Sequence, residues 1–137
     1  MENEIISLLK KSKLKVTPSR LAILGVLHEE KMPLNAEDIF VKVKTNTDQV
    51  TVYRTLTTFE EKGIIRRVDL RKESLYYEIN DNHHHHIVCV QCGKIEDFDT
   101  CDIEHVSDVI IKKSKHFKKA TEHAFEIFGV CTKCSYN

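Results

Sequence analysis

The sequence predicts an α+β protein in which a helical part with a β-hairpin precedes a smaller α/β part. Three observations predict this fold class. Apolar residues recur at helical spacing in four segments of the first 62 residues. Two short runs rich in Ile, Val and Tyr follow them, as expected for a hairpin. Two CxxC pairs then bracket most of the remaining chain. We therefore divide the chain into domains 1–80 and 81–137.

The first three predicted helices are recognised by their apolar faces and their capping residues. Apolar residues of 4–10 share one helical face, which predicts the first helix. Thr17 is a suitable N-cap for the second helix, with Pro18 at its first position. Asn35 caps the third helix, and the acid at Asp38 imitates a capping box.

The fourth helix and the hairpin complete the first domain. The helix is predicted from about Gln49 to Lys62, and Gly63 provides its C-terminal stop. Residues 64–70 and 74–80 are the two strands of the hairpin. Helices followed by a hairpin are typical of a winged helix-turn-helix, in which the second helix of a pair enters the major groove of DNA. Helices three and four are that pair, and the hairpin is the wing.

The second domain is predicted to be a small α/β unit. Residues 83–91 and 95–99 are expected to form two strands joined by a tight knuckle. Residues 101–116 are expected to be helical, and residues 120–130 to return as a strand.

The cysteines give the most specific pattern in the chain. Two CxxC knuckles supply four thiolates, which suits a closed tetrahedral zinc site without an open catalytic position. The alternatives are four unrelated buried cysteines or a redox dithiol. Cys101 is expected to be a helix-start residue without a partner. The predicted zinc ligands are Cys89, Cys92, Cys131 and Cys134.

Four consecutive histidines provide the second constellation. Because side chains alternate along a strand, His84 and His86 are expected on one face and His83 and His85 on the other. One strand can thus contribute to two metal sites. Mixed histidine and carboxylate ligands suit Fe²⁺, Mn²⁺, Zn²⁺ or Ni²⁺. The alternative is a solvated histidine-rich loop. Further candidate ligands are Glu78, Glu96, Asp97, Glu104 and His123.

The outer face of the fourth helix is the candidate DNA-reading surface. Arg54 has the geometry to contact a guanine through two hydrogen bonds, and Tyr53 to contact a thymine methyl or a phosphate. Thr51 and Thr55 are expected to reach phosphates. The alternative is an ordinary amphipathic helix with a polar outer face.

Composition and charge limit the remaining possibilities. The 21 Lys and Arg residues balance 21 Asp and Glu residues, so DNA binding would need a local basic face. No apolar run reaches the ~18 residues of a membrane span. The N-terminus lacks the pattern of a signal peptide, and we expect a cytoplasmic protein without membrane partners or a small-molecule substrate.

Taken together, these motifs resemble the ferric uptake regulator family along nearly the whole chain. The resemblance implies a homodimer with N-terminal winged helices and C-terminal α/β dimerisation domains. It further implies that a metal at the hinge lets both heads bind palindromic double-stranded DNA and repress metal-uptake or stress genes. The segments that carry it are LKVTPSRLAILGVL, NAEDIF, TVYRTLTTFEEKGII, YYEI, HHHHIVCVQCGKIEDF and CTKC.

The resemblance also implies roles for individual residues. Tyr53 and Arg54 match the DNA-reading helix, and Lys15 matches a basic residue that reaches the minor groove. The four knuckle cysteines match a structural zinc site. A regulatory hinge site for Fe²⁺ or Zn²⁺, with Mn²⁺ also possible, is matched by Glu78, His84, His86 and Asp97. An additional site within the dimerisation domain is matched by His83, His85, Glu104 and His123.

One position departs from the family pattern. Iron and peroxide sensors of the family usually take a further histidine from the loop where this chain has Pro33. Four remaining ligands suit zinc better than ferrous iron. Peroxide sensors also tend to have aspartate where Glu78 stands, which makes peroxide sensing the alternative within the family.

Two other classes of function are alternatives to a repressor. A zinc deaminase or hydrolase would need a pattern such as HExxH or HxE with PCxxC, which the sequence lacks. A zinc-stabilised interaction module without DNA binding would not need the TVYR helix or the wing. We therefore expect a metal-dependent repressor that is not an enzyme.

Overall fold

A computed structural model describes residues 2–81, 83–99 and 101–135. The chain forms two compact units, residues 1–81 and 82–137. In the first unit the elements are α1 (Glu2–Lys11), α2 (Pro18–Glu29), β1 (Leu34–Asn35), α3 (Ala36–Val43), α4 (Gln49–Glu61), β2 (Ile65–Val68) and β3 (Tyr76–Ile79). In the second unit they are β4 (His85–Cys89), β5 (Ile95–Phe98), α5 (Ile103–Lys113), β6 (Glu126–Gly129) and α6 (Thr132–Ser135).

Side-chain caps begin three helices of the first unit, each accepting a hydrogen bond from the backbone N–H three residues later. Thr17 caps α2 at 3.3 Å and Asn35 caps α3 at 2.8 Å, which confirms both predicted caps. Asp48 caps α4 at 2.7 Å from the N–H of Thr51. This hydrogen bond lowers the pKa of the Asp48 carboxyl group, so the cap is charged at neutral pH.

The end of α4 follows its predicted stop. Gly63 lies just beyond the helix with φ +73°, a left-handed conformation that favours glycine. The N–H of Ile64 then bonds to the carbonyl of Phe59 at 2.9 Å. This turn directs the chain from α4 into β2.

The core of the first unit lies between its helices and the hairpin. Apolar residues of α1 to α4 and of the strands pack into one cluster. Burying each large side chain contributes roughly 1.5–3 kcal/mol before the loss of conformational entropy. The side chains that are fully excluded from solvent include Leu9, Ile23, Leu24, Ile39, Val52, Leu56 and Phe59.

The predicted wing is the hairpin of β2 and β3, extended by a third strand. The two strands pair antiparallel, with Arg66 opposite Glu78. The short strand β1 pairs with the other edge of β3 and was not predicted, because two residues carry no periodicity. The strands are shorter than predicted. Residues 69–75 form the connecting turn, in which Arg71 has φ +54° and its N–H bonds to Asp69.

The second unit is a three-stranded sheet with β4 in the centre. Strand β5 is antiparallel to β4, and β6 is parallel to β4, with α5 in the crossover connection. All three strands and α5 are shorter than predicted. Strand β4 begins only at His85 because that residue pairs with Phe98, the last residue of β5.

No helix in the described ranges is both long and apolar enough to cross a membrane.

Candidate metal centres and nucleic-acid interface

The four knuckle cysteines meet at one end of the second sheet. Strands β4 and β6 run in the same direction, so the CxxC pair after each strand leaves at the same end. The four sulfur atoms lie within 4.8 Å of one another, and those of Cys92 and Cys131 are 3.6 Å apart. Zn–S bonds of about 2.3 Å at tetrahedral angles would place two sulfurs about 3.8 Å apart. The donor set therefore fits a tetrahedral zinc ion.

The protons of these thiols are distributed unequally. Backbone N–H groups of Cys92 and Cys131 donate hydrogen bonds to the sulfur of Cys89 and lower its pKa from 9.0 to about 6. A backbone hydrogen bond at Cys134 lowers the pKa of Cys131. The pKa of Cys134 is raised to about 12, first by its side-chain hydrogen bond to Cys131 and then by desolvation. Cys89 is thus a thiolate at neutral pH even without a metal.

His86 is held by a carboxylate that the sequence analysis missed. The side chain of His86 is completely buried, and its Nδ1 lies 3.0 Å from Oε2 of Glu126 on β6. The same oxygen accepts the backbone N–H of His86 at 2.7 Å. On the other side of the ring, Nε2 lies 3.5 Å from Asp97. The ring of His84 stacks edge-on at a centroid distance of 4.9 Å, so His84, His86 and Asp97 are brought together.

The opposite pair of histidines joins a different cluster, which includes Cys101. Nε2 of His85 lies 3.3 Å from the sulfur of Cys101 and 3.3 Å from Nε2 of His123. The ring of His83 packs against His85 at 4.8 Å and against His123 at 5.0 Å. The expectation that Cys101 has no partner is wrong. It precedes α5 rather than starting it, which brings its sulfur to the histidines.

Glu104 does not join the cluster that Cys101 forms with the histidines. It lies in the first turn of α5 and is exposed. It borders the same groove as His123. In this cluster, the ligand atoms of His83, His85, Cys101 and His123 lie within 4.8 Å of one another, and Glu104 does not belong to the group.

Glu78 belongs to the first unit and is fixed there by an ion pair. It is buried on β3, and both Nε and Nη2 of Arg66 lie 2.7 Å from its Oε1. The two residues face each other in the register of the hairpin. The ion pair thus holds the carboxylate of Glu78 in place within the hairpin.

The outer face of α4 displays part of the predicted DNA-reading surface. Tyr53 and Arg54 are exposed and Thr51 is half-buried. Thr55 is only 7% exposed, so the expected phosphate contact of its side chain does not fit the structure. Thr55 lies three residues after Val52 and four before Phe59, which places it on the buried face of the helix.

Lys15 lies in the segment between α1 and α2. Lys15 is exposed, and its backbone carbonyl accepts a hydrogen bond from Nη1 of Arg20 at 2.9 Å. Pro33, at the position of the family's additional histidine, is buried directly before β1.

Comparison with known proteins identifies the family. The sequence profile of the ferric uptake regulator family matches residues 11–128. The chain belongs to this family. It is 37% identical to the ferric uptake regulation protein of Neisseria meningitidis over 135 residues, which cover 94% of this chain and 92% of the relative. As a member of the family, the chain is a metal-responsive transcriptional regulator.

Solved structures of the family share the fold. The ferric uptake regulator of Helicobacter pylori, described as having three functional metal binding sites, aligns with a TM-score of 0.79 and 29% identity. The alignment covers 98% of this chain and 94% of that one. The ferric uptake regulator of Pseudomonas aeruginosa with manganese aligns at 0.76 and 28% identity, over 93% and 98% of the chains. The winged helix-turn-helix and the C-terminal α/β unit are therefore confirmed as the fold of this family.

Proposed function

We propose that the protein is a homodimeric repressor that binds palindromic double-stranded DNA when its regulatory site is loaded with metal, and that it controls metal-uptake genes. The sensed ion is Fe²⁺ or Zn²⁺, and the ligands also suit Mn²⁺. The observation that carries the proposal is the exposed pair Tyr53 and Arg54 on α4 of a winged helix, in a chain whose second unit gathers metal-binding side chains.

The DNA-binding surface is the outer face of α4. In a helix-turn-helix pair, the second helix enters the major groove and its exposed side chains reach the bases. Arg54 contacts a guanine, and Tyr53 contacts a thymine methyl or a phosphate. Thr51 and Lys15 contact the backbone or the minor groove beside it. Thr55 is left out of this surface because it is buried.

The knuckle cysteines hold a structural zinc ion. Four thiolates complete the coordination of zinc and leave no position for a substrate, so we propose no catalytic role. The binding energy of such a site is also folding energy, because the unfolded chain does not hold the four sulfurs together.

The regulatory metal is held by Glu78, His84, His86 and Asp97. Glu78 comes from the wing, whereas the other three come from the second unit. A metal bound by residues of both units favours one arrangement of the DNA-binding head and so changes DNA affinity. Glu126 orients His86 through Nδ1 and leaves Nε2 for the metal. With Pro33 in place of a further histidine, the four ligands favour zinc.

The additional site lies within the second unit. The family pattern assigns it to His83, His85, Glu104 and His123, and the three histidines of this set lie together.

Dimerisation is supported by the exposed apolar face of the second unit. Helix α5 has no buried residue in a single chain, and Ile110 is 60% exposed. Val106 and Val109 are also exposed. On the sheet, Ile87 and Ile127 lie side by side and are both about two-fifths exposed. A second copy of the chain would remove this surface from water. We place the dimer in the cytoplasm, where the chromosome is accessible.

The test compares metal-dependent DNA binding of the wild type with that of two neighbouring histidine variants. DNA affinity is measured by gel shift against the free metal concentration. His86→Ala is expected to abolish the metal response while leaving the fold and the zinc of the cysteine site intact. His85→Ala is the matched control and is expected to do less, because its side chain lies in the other cluster.

Two results would contradict the proposal. DNA binding by the wild type that is absent at every metal concentration would exclude the repressor function. An equal loss of the metal response in His86→Ala and His85→Ala would overturn the division of roles between the two faces of β4.

A further inference from the structure

Three potential ligand atoms of the second unit form a compact triangle. The distances are 3.3 Å from His85 Nε2 to Cys101 Sγ, 3.7 Å from Cys101 Sγ to His123 Nε2, and 3.3 Å between the two Nε2 atoms. His85 is only 5% exposed, so the triangle has a buried corner.

The dimensions of the triangle match one face of a zinc tetrahedron. Bonds of about 2.0–2.1 Å to nitrogen and 2.3 Å to sulfur place two nitrogens about 3.3–3.4 Å apart, and nitrogen and sulfur about 3.6 Å apart. The observed edges of 3.3, 3.3 and 3.7 Å therefore agree with two imidazoles and one thiolate around a single ion.

His83 supplies the fourth corner. Its ligand atom lies within 4.8 Å of the other three, and its exposed ring gives the site access to solvent. The four residues come from three segments of the second unit. His83 precedes β4, His85 begins it, Cys101 precedes α5 and His123 precedes β6. An ion at this position would fix the start of α5, which has no buried residue of its own.

We propose that Cys101 is a metal ligand and that this chain has a zinc site of three histidines and one thiolate. The inference deepens the additional site named under the proposed function, but it does not depend on DNA binding. It replaces the carboxylate of Glu104 with the sulfur of Cys101. A thiolate beside three imidazoles selects Zn²⁺ or Co²⁺ over Mn²⁺, which prefers oxygen ligands.

The experiment uses Co²⁺ as a spectroscopic substitute for zinc in the full-length protein. The protein is prepared with zinc retained in the cysteine site, as verified by metal analysis, and is then titrated with Co²⁺. A thiolate ligand produces a sulfur-to-cobalt charge-transfer band in the near ultraviolet. Ligands that are only imidazole or carboxylate, including those of the regulatory site, produce none.

Three variants separate the possible ligands. Cys101→Ser removes the thiolate, Glu104→Gln removes the competing carboxylate, and Asp108→Asn is a control one turn further along α5. We expect the wild type, Glu104→Gln and Asp108→Asn to show the charge-transfer band, and Cys101→Ser to lack it. Removing a residue that only hydrogen-bonds to a metal ligand lowers metal affinity roughly 10–100-fold, and removing a ligand itself should have at least as large an effect. Cys101→Ser should therefore weaken zinc binding at this site by at least about tenfold in a chelator competition.

Two outcomes would overturn the inference. The first is a spectrum of Cys101→Ser that equals that of the wild type, with or without the band. The second is a loss of cobalt binding in Glu104→Gln but not in Cys101→Ser, which would make the carboxylate the ligand. Neither outcome involves DNA, so a failure here is distinct from a failure of the repressor function.

Discussion

His86 and Glu126 are direct neighbours on the parallel strands β4 and β6, and a single carboxylate oxygen contacts both the backbone N–H and Nδ1 of the histidine. This double contact fixes the position of the imidazole as well as the tautomer that suits metal binding through Nε2. In the proposed regulatory site, Glu126 would therefore act on the metal through its ligand His86.

Removing the charge of Glu126 is expected to weaken the regulatory site without unfolding the second unit. Glu126→Gln retains a hydrogen-bonding group but orients His86 less strongly, and metal affinity should fall roughly 10–100-fold. Isothermal titration with Zn²⁺ measures the effect. Glu96→Gln, an exposed strand carboxylate one residue before Asp97, is the control. Equal affinities of Glu126→Gln and the wild type would show that the contact is only structural.

Loss of one knuckle cysteine is expected to unfold the second unit. Cys89→Ser removes one of four zinc ligands at the end of the central strand, and the zinc contributes folding energy. Circular dichroism and size-exclusion chromatography should show loss of strand structure and of the dimer, while helices of the first unit persist. Glu96→Gln, an exposed change on β5, serves as the control that retains this zinc. A stable Cys89→Ser dimer with full zinc content would refute the structural site.

Zinc binding at the cysteine site is expected to release fewer than four protons at neutral pH. The pKa of Cys89 is about 6, so this group has already lost its proton, whereas Cys134, at about 12, must give one up. In the metal-free protein, the stability contributed by the Cys89 thiolate is present above 9.0 and is lost as pH falls through about 6. The pKa of Cys134 is raised, so the stability contributed by its thiol form is present below 9.0 and is lost as pH rises through about 12.

Calorimetric titrations with zinc in buffers of different ionisation enthalpy count these protons. The number released should rise as pH falls below about 6, because Cys89 is then protonated before zinc arrives. Release of four protons at neutral pH would show that Cys89 has an ordinary thiol pKa.

Arg54 is expected to determine sequence preference rather than general affinity. Arg54→Ala should weaken operator binding by ~1–3 kcal/mol and relax the preference at one base pair of each half-site. Metal content and dimerisation should not change, since the side chain is exposed on α4. Anisotropy titrations with operator and random DNA separate the two roles. An equal loss on both DNAs would make Arg54 a phosphate contact.

The sequence predicts features that depend on local spacing. Thr17, Asn35 and Gly63 bound their helices as expected because capping involves groups only a few residues apart. The sequence also predicts that the four histidines divide between two clusters, because side chains alternate between the two faces of a single strand.

Contacts between distant segments are not predicted from the sequence. The partners of His86 and Cys101 depend on the parallel register of β4 with β6 and on where α5 begins. Neither feature has a local sequence pattern. The polarity of Thr55 predicts an outer position, but its spacing from Val52 and Phe59 places it on the buried face of α4.

The parallel pairing of β4 and β6 also constrains how the protein is made. During synthesis, Cys89 and Cys92 leave the ribosome well before Cys131 and Cys134, which follow the partner strand. The first unit can fold meanwhile, since its core needs no later residue. Until the last knuckle emerges, the early cysteines remain a free dithiol, open to oxidation or to a competing metal. A zinc ion held by all four cysteines would thus be captured only as the sheet is completed, late in the synthesis of each chain.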